Sequence, residues 1–291
     1  MSTVSPMFRF PGRRDLLVSL SAALLPVVAH SAGPLDALAQ VERASGGRLG
    51  VYALDTGNGR ALGHRADERF LMFSTFKLLL AAAVLARVAS DLERLNRRVS
   101  YTAADLLSNA PVSHARVAEG GLTVATLCRA AVEVSDNTAA NLLLKVVGGP
   151  SGVTRFARGI GDGVTRLDRI ELTLNDPHGE LDTTTPRAMV GSMRVILLGS
   201  ALDPAARTML EGWMRECTTG RHRLRAGLPS AWVAGDKTGT GDTQTNDLAI
   251  IRPPGRAPLL VAAYYQGGPN STEGREAVLR RVGSILASWA A

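Results

Sequence analysis

The chain has 291 residues, 45% of them hydrophobic and 20% charged, with a net charge of +7. That composition fits a globular protein of one large or two modest domains, and the absence of repeats, charge blocks and low-complexity tracts excludes fibrous and repeat architectures. The positive residues are scattered with few aromatics beside them, which argues against a nucleic-acid partner.

The chain begins with Arg9, Arg13 and Arg14 ahead of an apolar run, Leu16 to Ala29. A basic segment, a short apolar core and Ala29-His30-Ser31 before Ala32 predict a signal peptide over residues 1–31. Fourteen residues are too few to span a bilayer comfortably. Only Ser19 and Ser21 interrupt the run, so it has no amphipathic face to suit a buried helix. Arg13-Arg14-Asp15-Leu16-Leu17 also fits a twin-arginine signal. No other segment approaches a membrane span, which predicts an exported, periplasmic or secreted monomer without stable membrane association.

Leu35 to Ala44 has helical spacing and stops at Gly46-Gly47. Leu49 to Asp55 reads as a strand, and Thr56-Gly57-Asn58-Gly59 as a turn into a second strand near Ala61 to His64. From Ser74 to about Trp213 the pattern is mostly helical, broken by an irregular stretch from Asp168 to Pro186. Strands return at Trp232–Thr240, Asp247–Arg252 and Pro258–Gln266. A last helix carries Val278, Val282, Ile285, Leu286 and Trp289 on one face. The predicted fold class is therefore α/β, an antiparallel sheet built from both chain ends and flanked by helices, with an inserted all-helical domain. The expected boundaries are 32–68 and 216–291 for the α/β domain and 69–215 for the helical one, with a site in the cleft between them.

Chemistry shows first in the lysines. There are three, against thirty arginines, and two lie in Ser74-Thr75-Phe76-Lys77 and Lys237-Thr238-Gly239. A lysine amine loses its proton when desolvated or placed beside cations, whereas arginine does not. A bias towards arginine codons explains the excess of arginine but not where the lysines remain. Ser-x-x-Lys alone is weak, with about one chance copy expected in a chain of this size. Its setting adds weight, because Phe76 to Ala86 reads as a buried helix, and positions three apart share a helix face. A hydroxyl nucleophile needs an adjacent base, and a desolvated lysine is one. A serine at this place is otherwise a helix cap.

Five dispersed histidines give no ligand spacing, so neither a metal site nor any other cofactor is expected. Cys128 and Cys217 could pair in an oxidising compartment, although Cys128 sits in a helical pattern where a buried free thiol is usual.

Ser135-Asp136-Asn137 lies 61 residues after Ser74, and Lys237 lies 102 after Ser135. The three motifs in this order resemble the signature of class A β-lactamases and penicillin-binding proteins. The likeness covers residues 32–291, down to Asp182-Thr183-Thr184-Thr185-Pro186 and Thr218-Thr219-Gly220. Arg169-Ile170-Glu171-Leu172-Thr173-Leu174-Asn175 looks like the class A omega loop, in which the Glu and the Asn hold the water that hydrolyses the acyl-enzyme.

The resemblance implies a class A serine β-lactamase that opens penicillins and early cephalosporins, small β-lactam molecules, through an acyl-enzyme and so gives antibiotic resistance. It implies Ser74 as nucleophile, Lys77 and Glu171 sharing the acylation base role, and Ser135 relaying a proton to the leaving nitrogen. Glu171 with Asn175 would activate water for deacylation. Lys237, Thr238, Gly239, Thr240 and Arg223 would hold the substrate carboxylate and strand edge. The backbone N–H groups of Ser74 and Thr240 would form the oxyanion hole. Asn137 would meet the acylamino side chain, Asn141 would brace the omega loop, and Arg169 with Asp182 would close it. Two other activities share the three motifs: a D-alanyl-D-alanine peptidase, which lacks the deacylating Glu, and a penicillin-sensing binding domain, which acylates and stops.

The chain departs from the family pattern in places. From Asn175 to Asp182 it is two residues shorter than the common form, and Leu172 stands where Pro is frequent. Asn109 replaces the usual aromatic beside the cleft. Phe73 and Gly241 occupy the two positions of a cysteine pair found in many carbapenem-hydrolysing members, and Ala81 stands where a partner for Cys128 would be.

Overall fold

A computed structural model describes residues 1–5, 33–269 and 271–291. The predicted signal peptide falls almost wholly outside these residues.

Helix α1 (Pro34–Ser45) starts with Pro in its first turn and ends at Gly46 in the left-handed conformation, the residue best suited to that cap. Strands β1 (Gly47–Asp55) and β2 (Ala61–His64) follow as a hairpin. The short strand β3 (Phe70–Leu71) and a single helical turn, Phe73–Thr75, lead into helix α2 (Phe76–Ala89). The middle of the chain adds helices α3 (Pro111–Ala115), α4 (Val124–Glu133), α5 (Asn137–Val147), α6 (Pro150–Gly159), α7 (Pro186–Leu197) and α8 (Pro204–Arg215). Two minor strand pairs join them: β4 (Arg98–Ser100) with β5 (Gly121–Thr123), and β6 (Thr183–Thr184) with β3. Strands β7 (Val233–Thr240), β8 (Gln244–Arg252) and β9 (Leu259–Gly267) and helix α9 (Thr272–Ala290) complete the chain.

The five-stranded antiparallel sheet runs β2-β1-β9-β8-β7, so the first and last thirds of the chain share one sheet. Its faces follow the period of two along β9. Leu260, Ala262 and Tyr264 join the core beneath α2, α4, α5 and α7, while Leu259, Val261, Ala263 and Tyr265 join the core beneath α1 and α9. A strand buried on both faces explains why β9 reads as a continuous apolar run. Helix α2 is buried along Phe76–Leu85, on all sides. A helix that is apolar all round belongs at the centre of a helical cluster, and α2 packs against α4, α5 and α6.

The strands and helices lie within a few residues of the predicted ones; β8 starts three residues earlier than expected, at Gln244. Both cysteines are free and buried: Cys128 on α4, Cys217 after α8. Of the two possibilities the sequence leaves open, a pair or free thiols, the structure has both thiols free. Burial pushes the Cys217 thiol up to about 11, so it stays protonated at neutral pH.

Candidate active site

Ser74 sits in the turn just ahead of α2, and its hydroxyl caps nothing; Oγ instead lies 3.4 Å from Glu171 Oε1. Two features bring it there. Phe73 has φ +48°, a left-handed conformation that costs a bulky residue roughly 1–3 kcal/mol and recurs at functional sites. Behind it, the edge strand β7 runs so close that a Cβ on Gly239 would lie 2.7 Å from the Met72 carbonyl. Glycine is required there for the strand to meet the turn. From β8, Asn246 Nδ2 donates to the carbonyl of Leu71 at 2.9 Å and holds the turn from below.

One helical turn on, Lys77 is fully buried. Its amine donates to the Ser135 carbonyl at 2.8 Å and to Asn137 Oδ1 at 2.6 Å, and lies 2.9 Å from Glu171 Oε1. Burial pulls the amine below the usual lysine range, with the Glu171 carboxylate and Asp136 opposing. Lys237, also fully buried on β7, donates to Ser135 Oγ at 3.1 Å and to the Thr238 carbonyl at 2.8 Å. Burial lowers its pKa to about 7, aided by the cations Lys77 and Arg223 and opposed by the neighbouring Asp236. The third lysine, Lys145, is exposed and lies 3.6 Å from Asp105. The two lysines inside motifs are the two that are fully buried.

Ser135 itself has φ +58°. The turn it occupies is anchored by Asp136, a fully buried carboxylate that caps α5 through the Ala139 N–H and also accepts from Val112 N, Ser113 N and Ser113 Oγ. Capping by Asp is legible in the sequence, but the clamp on α3 is not, because it joins residues more than twenty apart.

The loop 168–186 carries Glu171 into the same space. Asn141 on α5 grips its backbone twice, Nδ2 to the Glu171 carbonyl at 2.8 Å and Oδ1 from the Glu171 N–H at 3.0 Å. Asn175 Nδ2 donates to Glu171 Oε2 at 3.1 Å. The loop closes on itself where Arg169 Nε meets Asp182 Oδ2 at 2.6 Å, and Asp182 also takes the N–H groups of Asp168 and Arg169. The peptide between Glu171 and Leu172 is cis.

On the other side of β7, Arg223 is 2% exposed. Its guanidinium donates to the carbonyls of Gly239 and Asn246 at 3.0 and 2.8 Å, to Thr240 Oγ1 at 2.8 Å, and to Glu276 Oε1 at 3.2 Å. It therefore lies behind the strand, touching Thr240 and not Thr238, whose hydroxyl pairs with Thr219 Oγ1 at 2.5 Å. Asn246, Glu276, Thr219 and Asp136 escaped the sequence reading as contributors to the site. Asp136 carried a signal through its place in the second motif, and Thr219 through Thr218-Thr219-Gly220.

Ser74, Lys77, Ser135, Asn137, Glu171, Asn175 and Lys237 thus meet in one cluster, and Thr238, Gly239, Thr240 and Arg223 line the strand beside it. A family model for the beta-lactamase enzyme family matches residues 34–290.

The chain belongs to that family.

Among its relatives, β-lactamase L2 of Stenotrophomonas maltophilia is 47% identical over 285 residues, covering 91% of this chain and 93% of that protein. β-Lactamase CTX-M-8 of Citrobacter amalonaticus is 44% identical over 272 residues, covering 92% and 93%. A crystal structure of a β-lactamase from Burkholderia vietnamiensis superposes with a TM-score of 0.88 at 55% identity, covering 90% of this chain and 98% of that one. An ancestral class A β-lactamase follows with a TM-score of 0.86 at 52% identity, covering 88% and 99%. The chain is accordingly a class A β-lactamase, an enzyme that hydrolyses β-lactam antibiotics. Among the described residues no helix is long and apolar enough to cross a membrane.

Proposed function

We propose that Ser74 Oγ attacks the lactam carbonyl carbon, with its proton passing into the Lys77–Glu171 pair. The single observation that supports this most is the Glu171 Oε1 position, 3.4 Å from Ser74 Oγ and 2.9 Å from Lys77 Nζ, with the Lys77 and Glu171 side chains buried. As the C–N bond breaks, Ser135, whose hydroxyl lies 3.4 Å from the Lys77 amine and 3.1 Å from that of Lys237, delivers a proton to the leaving nitrogen. The ester on Ser74 is then attacked by a water that Glu171 deprotonates and the Asn175 amide helps to orient. Ester cleavage returns the proton to Ser74 and releases the ring-opened acid. The backbone N–H groups of Ser74 and Thr240 receive the developing oxyanion, a kind of contact that contributes about 3–4 kcal/mol. Mass spectrometry of the Glu171→Ala protein after mixing with benzylpenicillin tests the assignment: the adduct should map to the Ser74 peptide and vanish when Ser74→Ala is added. Sustained nitrocefin turnover with Ser74→Ala would overturn it. Export through the residue 1–31 signal, a monomeric state and the division into 32–68 with 216–291 and 69–215 belong to the same reading.

Lys237, Thr238 and Thr240 form the carboxylate anchor, and Arg223 contributes its charge through the Thr240 hydroxyl. With Glu276 beside it, that charge is partly compensated. Arg223→Ala is expected to raise KM for penicillins about tenfold, or about 1.4 kcal/mol, while lowering kcat much less. A loss confined to kcat in steady-state assays would remove the anchoring role.

Penicillins should be good substrates, early cephalosporins fair ones and carbapenems poor. The shortened omega loop leaves room for the acylamino side chain, and the Phe73 ring lies where a side chain at Gly241 would go, with a Cβ there 2.4 Å from its edge. A relative from Klebsiella oxytoca, 44% identical over 272 residues and covering 90% of this chain, is described as carbapenem-hydrolysing. Imipenem turnover within tenfold of the benzylpenicillin specificity constant, a gap of only about 1.4 kcal/mol, would overturn the expected order.

A further inference from the structure

The neutral acceptors that hold the Lys77 amine, the Ser135 carbonyl and Asn137 Oδ1, belong to one turn, and Asn109 holds that turn from the opposite side. Asn109 Nδ2 donates to the same Ser135 carbonyl at 3.2 Å, and the Asn109 carbonyl accepts the Asn137 N–H at 3.0 Å. A closed ring of contacts therefore runs from Lys77 to Ser135, Asn109, Asn137 and back to Lys77. Two members of the ring are left-handed residues other than glycine, Ser135 at φ +58° and Asn109 at φ +52°. Such conformations persist only where surrounding bonds enforce them, and Asn is among the few side chains that adopt them readily. Position 109 thus asks for both a left-handed backbone and a side-chain donor, and Asn supplies both.

We propose that Asn109 is a positioning residue for the reaction, fixing the Ser135 carbonyl and Asn137 so that the Lys77 amine is presented between Ser135 and Glu171. This rests on the proton-transfer roles given above to Lys77 and Ser135. A carbonyl oxygen has two lone pairs. Asn109 occupies one, which sets the direction of the carbonyl and limits how strongly it stabilises the Lys77 ammonium. Without that donor the carbonyl turns wholly to Lys77 and favours its charged form. The other charges facing the amine are Glu171 from the omega loop, Asp136 at the start of α5 and Lys237 on β7. An Asn109 variant leaves all three in place. Removing the amide should therefore move the acidic limb of acylation to higher pH, since less of the amine is free to accept a proton.

Asn109 is exposed, so its replacement leaves the core intact. Asn109→Gly keeps the left-handed backbone and removes the donor; Asn109→Asp keeps the shape and, ionised, also has no donor. Stopped-flow acylation by benzylpenicillin across pH 5 to 9 (a range of roughly two units either side of neutrality, where amine and carboxylate roles separate) gives the readout. Both variants should acylate about tenfold more slowly at neutral pH, with the acidic limb shifted upward, more so for Asp, and with KM changed less than about twofold. Unchanged rates and limbs in both variants would overturn the proposal, as would a rise in KM alone, which is what a mere wall of the cleft would give. The wild type separates the two levels of inference. If it turns over nitrocefin without any Ser74 acylation burst, the catalytic assignment fails; if it acylates at Ser74 and the variants keep its pH profile, only the role of Asn109 fails.

Discussion

Glu171→Ala is expected to acylate on benzylpenicillin and then stop. The wild-type carboxylate is gripped at three points, through Asn141 on its backbone, Asn175 on Oε2 and Lys77 on Oε1. That rigidity suits a base that must hold one water against an ester in a narrow cleft. Among the described residues, Glu171 is the one carboxylate in hydrogen-bond reach of Ser74 Oγ. General-base assistance is typically worth about 100- to 10,000-fold. Deacylation should slow by about that factor, while acylation continues through Lys77 at a reduced rate. Intact-mass measurement should show the protein accumulating with one penicilloyl group and persisting for many minutes. Turnover at the wild-type rate with no adduct would take Glu171 out of the mechanism.

Lys77→Met should lose acylation itself. Methionine has nearly the length and volume of lysine, so packing in α2 is kept and the loss is that of the amine. Three groups then lose their partner at once: the Ser135 carbonyl, Asn137 Oδ1 and the Glu171 carboxylate. Acylation should fall by about 100- to 10,000-fold, measured by single-turnover nitrocefin kinetics. Stability should fall as well, because breaking a buried ion pair by removing one partner leaves the other charge stranded, at about 3–5 kcal/mol. The double variant Lys77→Met with Glu171→Ala should recover much of that stability, since the stranded charge is gone, without recovering acylation. If denaturant melts show the single variant as stable as the wild type, the pair is not the buried contact described. If acylation survives intact, Lys77 is not part of the proton path.

The sequence by itself determined most of the fold's elements and pointed to the residues that the fold gathers into one cluster. Apolar, β-prone runs bounded by turn residues marked β1 and the three C-terminal strands, and the Ala-rich run after Ser74 marked α2 as a buried helix. These are local signals, because each is carried by the segment's own residues. The motifs around Ser74, Ser135, Glu171 and Lys237 were legible through their resemblance to a known family, because each packs several functional groups into a few consecutive residues.

Tertiary structure decided what those groups touch. Arg223 carries the same charge wherever it lies, and only the packing of α9 against the turn after α8 puts Glu276 beside it and places the guanidinium behind β7. Asn246 binds the Leu71 carbonyl, just ahead of the Ser74 turn, from 175 residues away along the chain. In the sequence Asn109 reads as a missing aromatic; in the fold it is a donor to the Ser135 carbonyl. Both lysine amines titrate low because helices and sheet close over them, and desolvation is a property of everything packed around a group rather than of its neighbours in sequence. Hydrogen bonds and burial join residues far apart in the chain, and that long-range geometry turns a set of recognisable motifs into one site.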